Sequence, residues 1–548
     1  MKKFRLCIIL CIIGAAPMIT YAGGQGLSLS AQMGSNFATI DVEISLNMKN
    51  HPAIYYLALA RDSIKQQPPT AEMILAYADG NLTAGLKDGR AVRGHWIASS
   101  QYTNRMLSLA GGENIRNIPG EQGFIDGFRY DIYMVAVDRN GRKSNVAVAE
   151  NIMAMPFAGT SGSAFTIENG KQLANIQRMA DLYRESKEIH GSTEFLNDNF
   201  ILADDIDLRG YENWKPITIF RGSLDGQNKK IKNLKIRSKG ESGACGFFGT
   251  LEDAFIQNLI IEGAKIFTEG PGPVGGLAGS LSGETILIDC HVSGDIYGES
   301  GVGGFVGTVL GAELPENANH SIKIVRCTST GTVEATRGLV GGFAGSMAYA
   351  SADACGASVN VKASGLDIGG FVGRLTHRSR VTNSWAYGDV ESTKGWHVGG
   401  FVGLLIYGSG IEYSLSSGNV WGMRDVGGFA GAIAAPGAPN TLFGCLSFAN
   451  WVSADDANAA RFVGRLDHEG VNNCFAYLGT VVAGPEGLSH VLPNPYGADG
   501  GDFNDQTIEA VLERVGWDQR YWAFDFEDGT NILRPMNNLD RHTNNKAS

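Results

Sequence analysis

The sequence predicts an all-β protein, in which a parallel β-helix is preceded by a small β-sandwich and carries short capping helices. Three observations support this fold class. Glycine makes up 74 of 548 residues, about twice its usual share, and it lies among apolar residues. A glycine-rich string recurs at a base interval of 28 residues. A second string, between its copies, alternates with the period of two that marks a β-strand.

The first residues have the pattern of an export signal. Three basic residues precede an apolar run, which ends in the small-x-small cleavage site Thr20-Tyr21-Ala22. A membrane anchor is the alternative, but the run is shorter than the roughly 20 residues that span a bilayer. We therefore predict a signal peptide at 1–22 and no transmembrane segment after cleavage. The mature chain is then expected in the periplasm, on the cell surface or outside the cell.

Residues 23–157 carry no repeat and are predicted to form the small β-sandwich. Strand patterns occur at 37–46 and 55–62. At 130–149 two strand patterns flank an Asn-Gly turn. The aromatic and valine pattern of this hairpin resembles the end hairpin of a fibronectin type III domain, which implies a sandwich of that kind.

Residues 158–200 are predicted to hold a linker and a capping helix. The linker is the Gly/Ser-rich stretch at 158–164. Apolar residues then recur near helical spacing at Leu173, Ile176, Met179 and Leu182. We expect this helix to cover the N-terminal end of the β-helix, because an open end exposes unpaired strand edges. A C-terminal cap is predicted at 485–548, with a helix at 505–514.

The repeats are predicted to occupy 201–484. The first string reads VGGLAG at 274–279 and VGGFVG at 302–307, and a worn copy ends at Gly464. Its aromatic or leucine position falls at Leu277, Phe305, Phe343, Phe371, Phe401, Phe429 and Phe462. Each turn of a parallel β-helix adds about 4.8 Å, the spacing of paired strands, so equivalent residues stack in ladders.

The second string reads CHVSGDI from Cys290 and recurs in each repeat. Positions one and three are small, position five is mostly glycine, and position seven is mostly Val or Ile. We predict that these four positions face inward and that the others face outward. The prediction places Cys290, Cys327 and Cys355 on successive turns and Cys445 beside Cys474. Buried free thiols and disulfides both fit that spacing.

Both strings resemble the GLUG-motif repeats of secreted bacterial proteins. The preceding segments, FTIENGKQLANI at 165–176 and NFILADDIDLRG at 199–210, are similar to the usual start of such arrays. VGWDQRYWAFDFEDGTNILRP at 515–535 is similar to their closing segment. The resemblance implies a β-solenoid of the kind common in surface or adhesive proteins, and it implies no single biochemical activity.

Candidate catalytic residues are few. The best acidic column holds Asp295 and Asp389, three turns or about 14 Å apart, whereas paired glycosidase carboxylates lie about 5–9.5 Å apart. Asp204, Asp205 and Asp207 offer a Ca²⁺ or acid–base site, but aspartates also cap turns, and we favour that role. The sequence contains no HExxH or GxSxG string. We predict no catalytic, cofactor-binding or metal-binding residues.

The outward positions of the C-terminal repeats predict a binding surface. They become aromatic or aliphatic, and we expect an exposed strip formed by Trp385, Tyr387, Leu415, Phe448, Phe475 and Tyr477. The net charge of −11 argues against nucleic acid as the partner. Six basic residues at 229–239 suit either a glycan patch or a solvated strand face.

Together these features predict a secreted or cell-surface, non-enzymatic, adhesin-like scaffold. Its expected partner is a glycan, a surface or host protein, or another copy of the chain. A polysaccharide lyase or hydrolase is one alternative, because β-helices also host such enzymes. A structural subunit of an extracellular assembly is the other.

Overall fold

A computed structural model describes residues 26–33, 39–46, 48, 52–60, 68–78, 91–97, 105–110, 129–154, 157–161, 164–185, 198–240, 243–315, 319–434, 437, 439–456, 459–485, 487–488, 500–503, 517, 522–525 and 532–535. The chain forms two compact units, Met1–Leu182 and Tyr183–Ser548. The predicted signal peptide and the helix predicted at 505–514 lie outside the described residues. No helix within the described part of the chain is long and apolar enough to cross a membrane.

The first unit is built from two antiparallel sheets. One has the strand order Leu27–Met33, Thr39–Leu46 and Arg105–Ala110. The other has the order Ala91–Ile97, Ala53–Ala60, Arg129–Val137 and Ala147–Met153. A short helix, Ala71–Ala78, lies in the chain between the strands Ala53–Ala60 and Ala91–Ile97 of that sheet. Strands thus form where alternation predicted them.

A tight turn within 138–142 follows Arg129–Val137 and leads to Ala147–Met153, the next strand of this sheet. Asp138 Oδ1 accepts hydrogen bonds from the backbone N–H groups of Asn140 and Arg142 at 2.8 and 2.9 Å. Gly141 has a φ of 77°, a conformation open to glycine but costly for most residues. The turn contains the Asn140-Gly141 pair that the sequence predicts, together with Arg139, because the backbone of Asp138 bonds to both Gly141 and Arg142.

The helix predicted from apolar spacing forms at Gly170–Glu185. Asn169 caps it, because its Oδ1 accepts the backbone N–H groups of Lys171 and Gln172, both at 3.1 Å. The predicted linker at 158–164 instead contains a strand, Gly159–Ser161, paired antiparallel with Ala164–Ile167. The capping role of the helix stays a prediction.

The second unit is a parallel β-helix of about 9 turns, so the predicted fold class is confirmed. Each complete turn passes through four sheets, named walls A to D. Wall A consists of Val274–Gly275, Val302–Gly303, Val340–Gly341, Ile368–Gly369, Trp396–Gly399, Arg424–Gly427 and Ala459–Ala460. Wall B consists of Ile217–Phe220, Phe248–Glu252, Ala278–Ser282, Val306–Leu310, Ala344–Ala348, Val372–Thr376, Val402–Leu405, Ala430–Ile433 and Val463–Leu466.

The remaining two walls complete the turn. Wall C consists of Asn199–Leu202, Ser223–Asp225, Phe255–Gln257, Ile286–Ile288, Ile322–Val325, Ala350–Asp353, Arg380–Thr382, Gly410–Glu412, Thr441–Phe443 and Val471–Asn472. Wall D consists of Ile206–Asp207, Lys230–Lys232, Lys235–Lys239, Ile260–Glu269, His291–Gly298, Thr328–Ala335, Gly356–Ala363, Trp385–Tyr387, Val390–Ser392, Leu415–Ser417, Val420–Gly422, Leu446–Ser447, Trp451–Ala454, Phe475–Tyr477, Val481–Gly484, Gly487–Leu488 and Gly501–Phe503. A separate antiparallel pair, Trp522–Asp525 and Ile532–Pro535, follows.

Each complete turn therefore has four strand segments, or five where wall D is split as in Trp385–Tyr387 and Val390–Ser392, whereas the sequence indicates two. The glycine-rich string makes the two-residue strands of wall A, a sharp corner, and the start of wall B. Wall C strands are mostly three residues long. Segments of two or three residues are too short to show a period, which is why only the long wall D strand was recognised.

Ladders of like side chains fill the interior as predicted. The phenylalanine rings stack from Phe305 to Phe462 with centroid separations of 4.7–5.0 Å. On wall D, His291 pairs with Thr328 and Thr328 with Gly356, so the cysteines that precede them lie on successive turns. The central structural prediction is confirmed.

The glycines at position five of the second string are not buried as predicted, whereas Val359 and Ala449 at the same position are. Gly294, Gly331, Gly388 and Gly418 are exposed or half-buried. Gly331 has a φ of 121°, and a Cβ there would collide with the carbonyl oxygen of Gly294 in the preceding turn. Glycine is needed here for its backbone conformation and for the close approach of turns, and not for a place in the core.

Candidate functional site

The predicted strip is largely covered. Trp385, Leu415, Leu446 and Phe475 lie side by side at position two of wall D, and are 8%, 1%, 1% and 4% exposed. Trp517, from the segment after the repeats, packs against them and is 5% exposed. The expected exposure of Trp385, Leu415 and Phe475 is therefore wrong, because an aromatic side chain from the C-terminal segment covers that position.

The covering tryptophan is fixed by a hydrogen bond. The Trp517 indole N–H donates to the carbonyl oxygen of Gly444 at 2.6 Å. Tyr387, Phe448 and Tyr477, at position four, are partly buried and pack against the same cluster. A binding role for the six predicted residues stays a prediction, and these three rings form the part of the strip that reaches solvent.

The acidic residues before the first full turn are engaged by neighbouring cations. Asp205 accepts a hydrogen bond from Lys232 Nζ at 2.8 Å, which lowers the pKa of that carboxyl group. Asp207 accepts one from Arg209 Nε at 2.7 Å, which lowers its pKa as well. Within the described residues, no group of three or more His, Cys, Asp or Glu side chains is arranged to hold a metal ion. This arrangement favours a turn-capping role for these aspartates.

The acidic column of wall D has the predicted order. Asp295 pairs with Thr332 and Thr332 with Asn360, and Asn360 lies beside Asp389. Thr332 Oγ1 donates to Asp295 Oδ1 at 2.8 Å, and Asn360 Oδ1 accepts the backbone N–H of Asp389 at 3.0 Å. The two carboxylates are thus three turns apart, too far for paired acid–base work.

The six cysteines in the described residues are buried free thiols. Burial, followed by hydrogen bonding to Cys290 and Cys355, raises the pKa of the Cys327 thiol. Burial also raises the pKa of the Cys445 thiol, which lies beside Cys474. Since the thiolate is the reactive form, burial shields all six thiols from alkylation, and the raised pKa of Cys327 and Cys445 shields those two further.

This state of the cysteines is directly measurable. In the chain without residues 1–22, we expect iodoacetamide to modify none of the six thiols under native conditions and all six in urea. Mass spectrometry of both samples checks the prediction. A mass that does not change in urea until a reductant is added would instead establish disulfides.

A charge network that the sequence did not predict lies at wall A. His397 Nδ1 is 2.7 Å from Asp367 Oδ1, and its Nε2 is 3.7 Å from Asp425 Oδ2. The two carboxylates are 1% and 10% exposed. Arg374 Nε donates to Asp367 Oδ2 at 2.6 Å, and Arg465 pairs with Asp425 at 3.0 Å. Since an arginine already neutralises each carboxylate, the arrangement serves packing of successive turns better than proton transfer.

An open groove lies on the outer face of wall D, near its N-terminal end. It has a volume of about 730 Å³ and is lined mainly by residues of four successive turns: Lys235, Arg237, Lys265, Phe267, Asp295, Tyr297, Thr332 and Glu334. The strand register arranges them in two columns. Lys235, Lys265, Asp295 and Thr332 form one column, and Arg237, Phe267, Tyr297 and Glu334 form the other.

Aromatic rings occupy the middle of this groove. Phe267 and Tyr297 stack with centroids 4.4 Å apart and planes inclined by 10°, and both are half-buried. The pair differs from the core ladders because it stands on the outside of the wall. It offers a flat apolar surface that ends in a phenolic hydroxyl, the combination that ligand sites use for contact and orientation.

The charges of the groove are separated along the axis of the β-helix. Lys235, Arg237 and Lys265 lie at one end, and all three are exposed. Asp295 and Glu334 lie toward the other end and are also exposed. The sequence shows the basic residues at 229–239 but does not reveal the groove, because the lining residues come from distant segments that lie together only when successive turns stack.

No family model matches the chain. A stretch of 175 residues is 28% identical to "Immunoglobulin A1 protease" of Streptococcus sanguinis and covers 32% of this chain and 9% of that protein. A stretch of 182 residues is 32% identical to "Halomucin" of Haloquadratum walsbyi and covers 31% of this chain and 2% of that protein. The chain therefore spans 9% or less of the length of these curated relatives.

The comparison with solved structures gives two matches whose titles also name an immunoglobulin A1 protease. A putative immunoglobulin A1 protease from Bacteroides ovatus has a TM-score of 0.40 at 15% identity, over 70% of this chain and 96% of that one. A structure titled "IgA1 Protease" has a TM-score of 0.40 at 14% identity, over 85% of this chain and 31% of that one.

Proposed function

We propose that the chain is an exported, non-enzymatic binding scaffold that presents the groove of wall D to a glycan. The observation that carries the proposal is the Phe267–Tyr297 stack, an aromatic platform held on the outside of a rigid wall. Sugar rings have apolar faces and hydroxyl edges. An aromatic platform flanked by charged and hydroxyl side chains suits both parts of a sugar. The aromatic rings contact the apolar face of the sugar, and the polar side chains bind its hydroxyl groups.

The rigidity of the wall supports this role. Phe267 and Tyr297 stand on neighbouring strands, Ile260–Glu269 and His291–Gly298, in parallel register. Ile266 and Ile296, which directly precede these two residues in the chain, are each 2% exposed and anchor both strands in the core. A site on paired strands needs little ordering when a ligand binds, so little binding free energy is lost.

The finer family assignments belong to this proposal. We infer that the repeats are of the GLUG type, supported by the buried glycine-rich corners and the Cys/Ser column. We also infer that the first unit is a fibronectin type III-like sandwich, supported by its sheets of three and four strands. Both modules are frequent in surface proteins, and the predicted signal peptide at 1–22 would export them.

Proteolysis is the second candidate, because several relatives bear the name immunoglobulin A1 protease. The matched stretch is only 9% of the S. sanguinis protein, so the activity of that protein does not carry over to this chain by similarity and needs its own test. Immunoglobulin A1 is the substrate to test first. We expect no cleavage after incubation with the chain lacking residues 1–22.

The aromatic platform provides the test of the leading proposal. On a glycan array, we expect the chain without residues 1–22 to bind a defined set of oligosaccharides. Phe267→Ala combined with Tyr297→Ala should weaken that binding at least tenfold, since aromatic anchors contribute more than about 1 kcal/mol each. Isothermal titration calorimetry with the best oligosaccharide measures the change.

The matched control is another surface aromatic of the same unit. Phe443, on wall C, is 39% exposed, and Phe443→Ala should leave glycan affinity unchanged. Circular dichroism checks that all variants fold. The proposal fails if no glycan binds, or if the platform variant binds as well as the control. Cleavage of immunoglobulin A1 would replace it with the protease function.

A further inference from the structure

The exposed cations of wall D fall into two groups. Most have a carboxylate partner on a neighbouring strand, as Lys230 has in Glu262 at 3.2 Å. The same holds for Lys232 with Asp205 at 2.8 Å and Lys362 with Glu391 at 3.2 Å. The three cations of the groove form the other group.

Lys235, Arg237 and Lys265 have no carboxylate within salt-bridge distance among the described residues. Lys235 and Lys265 are directly paired across neighbouring strands, where like charges are unfavourable. The backbone of Arg237 is fixed by Asn213, whose Oδ1 accepts the Arg237 N–H at 2.7 Å and whose Nδ2 donates to the Arg237 carbonyl oxygen at 3.0 Å. Lys235 and Arg237 have no carboxylate opposite them on the neighbouring strand, and Lys265 lies opposite Asp295 without forming a salt bridge, so three cations face one end of the aromatic platform.

The opposite end of the groove has the reverse character. Asp295 and Glu334 are exposed carboxylates, and Thr332 lies in the same column as Asp295. An anion at this end would meet like charge, whereas sugar hydroxyls can donate hydrogen bonds to carboxylates. Lys235 and Asp295 are two turns apart, or roughly 10 Å, whereas Lys265 is only one turn from Asp295. In the other column Arg237 and Glu334 are three turns apart, with Phe267 and Tyr297 between them.

We propose that the groove binds an oligosaccharide with one acidic sugar at its end, oriented along the axis of the β-helix. The carboxylate of that sugar pairs with Lys235, Arg237 and Lys265, of which arginine can make a two-pronged contact. Neutral sugars stack on the aromatic pair and donate hydroxyl hydrogen bonds to Asp295 and Glu334. This inference rests on the proposed function and adds the ligand class and its direction.

The charge arrangement favours this ligand over a polyanion. A sulfated chain or an acidic peptide with charges throughout would place anions beside Asp295 and Glu334. Because like charges held together are unfavourable, the acidic end of the groove selects against such ligands. One negative group followed by neutral hydroxyls satisfies both ends.

The experiment compares trisaccharides that share a lactose core and end in sialic acid or glucuronic acid with lactose itself and with heparin. We expect both acidic trisaccharides to bind at least tenfold more tightly than lactose, with an affinity that falls as salt rises. The variant Lys235→Gln/Arg237→Gln/Lys265→Gln should lose this preference while still binding lactose. Lys362→Gln, which alters an already paired cation, is the control and should change nothing.

A second variant reports on the acidic end. Asp295→Asn combined with Glu334→Gln should raise heparin affinity, because the groove then lacks the charges that repel a polyanion. Calorimetry measures each affinity, and circular dichroism confirms folding. Heparin or an acidic peptide binding the native groove more tightly than the acidic trisaccharides would overturn the inference.

The remaining outcomes separate the two proposals. Equal affinity for lactose and the acidic trisaccharides, with sensitivity only to the aromatic variant, would overturn the acidic-sugar inference and leave the glycan-binding function standing. Binding to none of the sugars, here and on the wider array, would remove both. A preference for only one of the two acidic sugars supports the inference and identifies the source of the carboxylate.

Discussion

Replacing Phe371 with alanine is expected to lower the free energy of unfolding of the β-helix by about 3–5 kcal/mol. Phe371 is fully buried, and its ring stacks on Phe343 at 4.7 Å and on Phe401 at 4.8 Å. The substitution removes contacts in both directions along the ladder. The cavity that remains cannot close, because backbone hydrogen bonds hold the neighbouring turns, such as Phe371 N–H to the Phe401 carbonyl oxygen at 2.9 Å.

Two control variants separate the ladder from general effects of mutation. Phe371→Leu should cost about 1 kcal/mol, since it nearly conserves volume and leucine fills this position naturally at Leu277. Leu310→Ala, at a wall B side chain that is 56% exposed, should change stability by less than about 0.5 kcal/mol. Urea unfolding followed by tryptophan fluorescence and circular dichroism gives the three values.

If the phenylalanine ladder stabilises the core, the loss of unfolding free energy should be largest for Phe371→Ala, smaller for Phe371→Leu and smallest for Leu310→Ala. If Phe371→Ala unfolded at the same urea concentration as Leu310→Ala, the phenylalanine column would not be a stabilising core. Because turns of a solenoid interact mainly with their neighbours, the loss is also expected to spread through local hydrogen exchange around Phe371. Native-state exchange should therefore report faster opening at Phe343 and Phe401.

The core could be predicted from sequence because each turn repeats the same packing problem. A residue that packs against the equivalent residue of the next turn recurs at the same position of every repeat. Phe343, Phe371 and Phe401 therefore predict a ladder from the sequence alone. The Cys/Ser column was readable for the same reason. Reading outward positions was less certain, since exposure depends on what lies over the wall.

The covered strip illustrates that limit. Trp385 stands at an outward position and is 8% exposed, because Trp517 packs over it. The two residues are far apart in the chain, and no periodicity connects a closing segment with the wall it covers. Alternation along a strand predicts which face a side chain is on, and it carries no information about a segment that folds back onto that face.

The groove was missed for a different reason. The residue types in its two columns change along the wall, from Lys265 to Asp295 in one and from Phe267 to Tyr297 in the other. A core ladder is revealed by residue types that are the same in every repeat, whereas a binding surface is built from positions at which the residue type differs between repeats. Reading each outward column down the repeats, in register, would have placed two aromatic residues between cations and carboxylates.

Replacing His397 with asparagine is expected to destabilise the β-helix by about 1–3 kcal/mol. His397 has a φ of 58°, and asparagine tolerates this left-handed conformation, so the change tests the side chain rather than the backbone. The imidazole ring lies between Asp367 and Asp425, whose side chains are 1% and 10% exposed. Without the ring, two buried carboxylates on alternate turns lose their shared partner, and each retains only one arginine.

A double variant isolates this interaction from the loss of the ring. If the network provides the stability, Asp367→Asn/His397→Asn should cost clearly less than the sum of the two single changes, as measured by urea unfolding. Lys362→Gln is the matched control, because it removes an exposed ion pair with Glu391 that contributes at most about 1 kcal/mol. High salt should weaken the exposed pair and leave the buried network nearly unchanged, since buried charges are poorly screened. Additive losses in the double variant, or a His397→Asn effect no larger than that of Lys362→Gln, would contradict the assignment of a stabilising charge network to wall A.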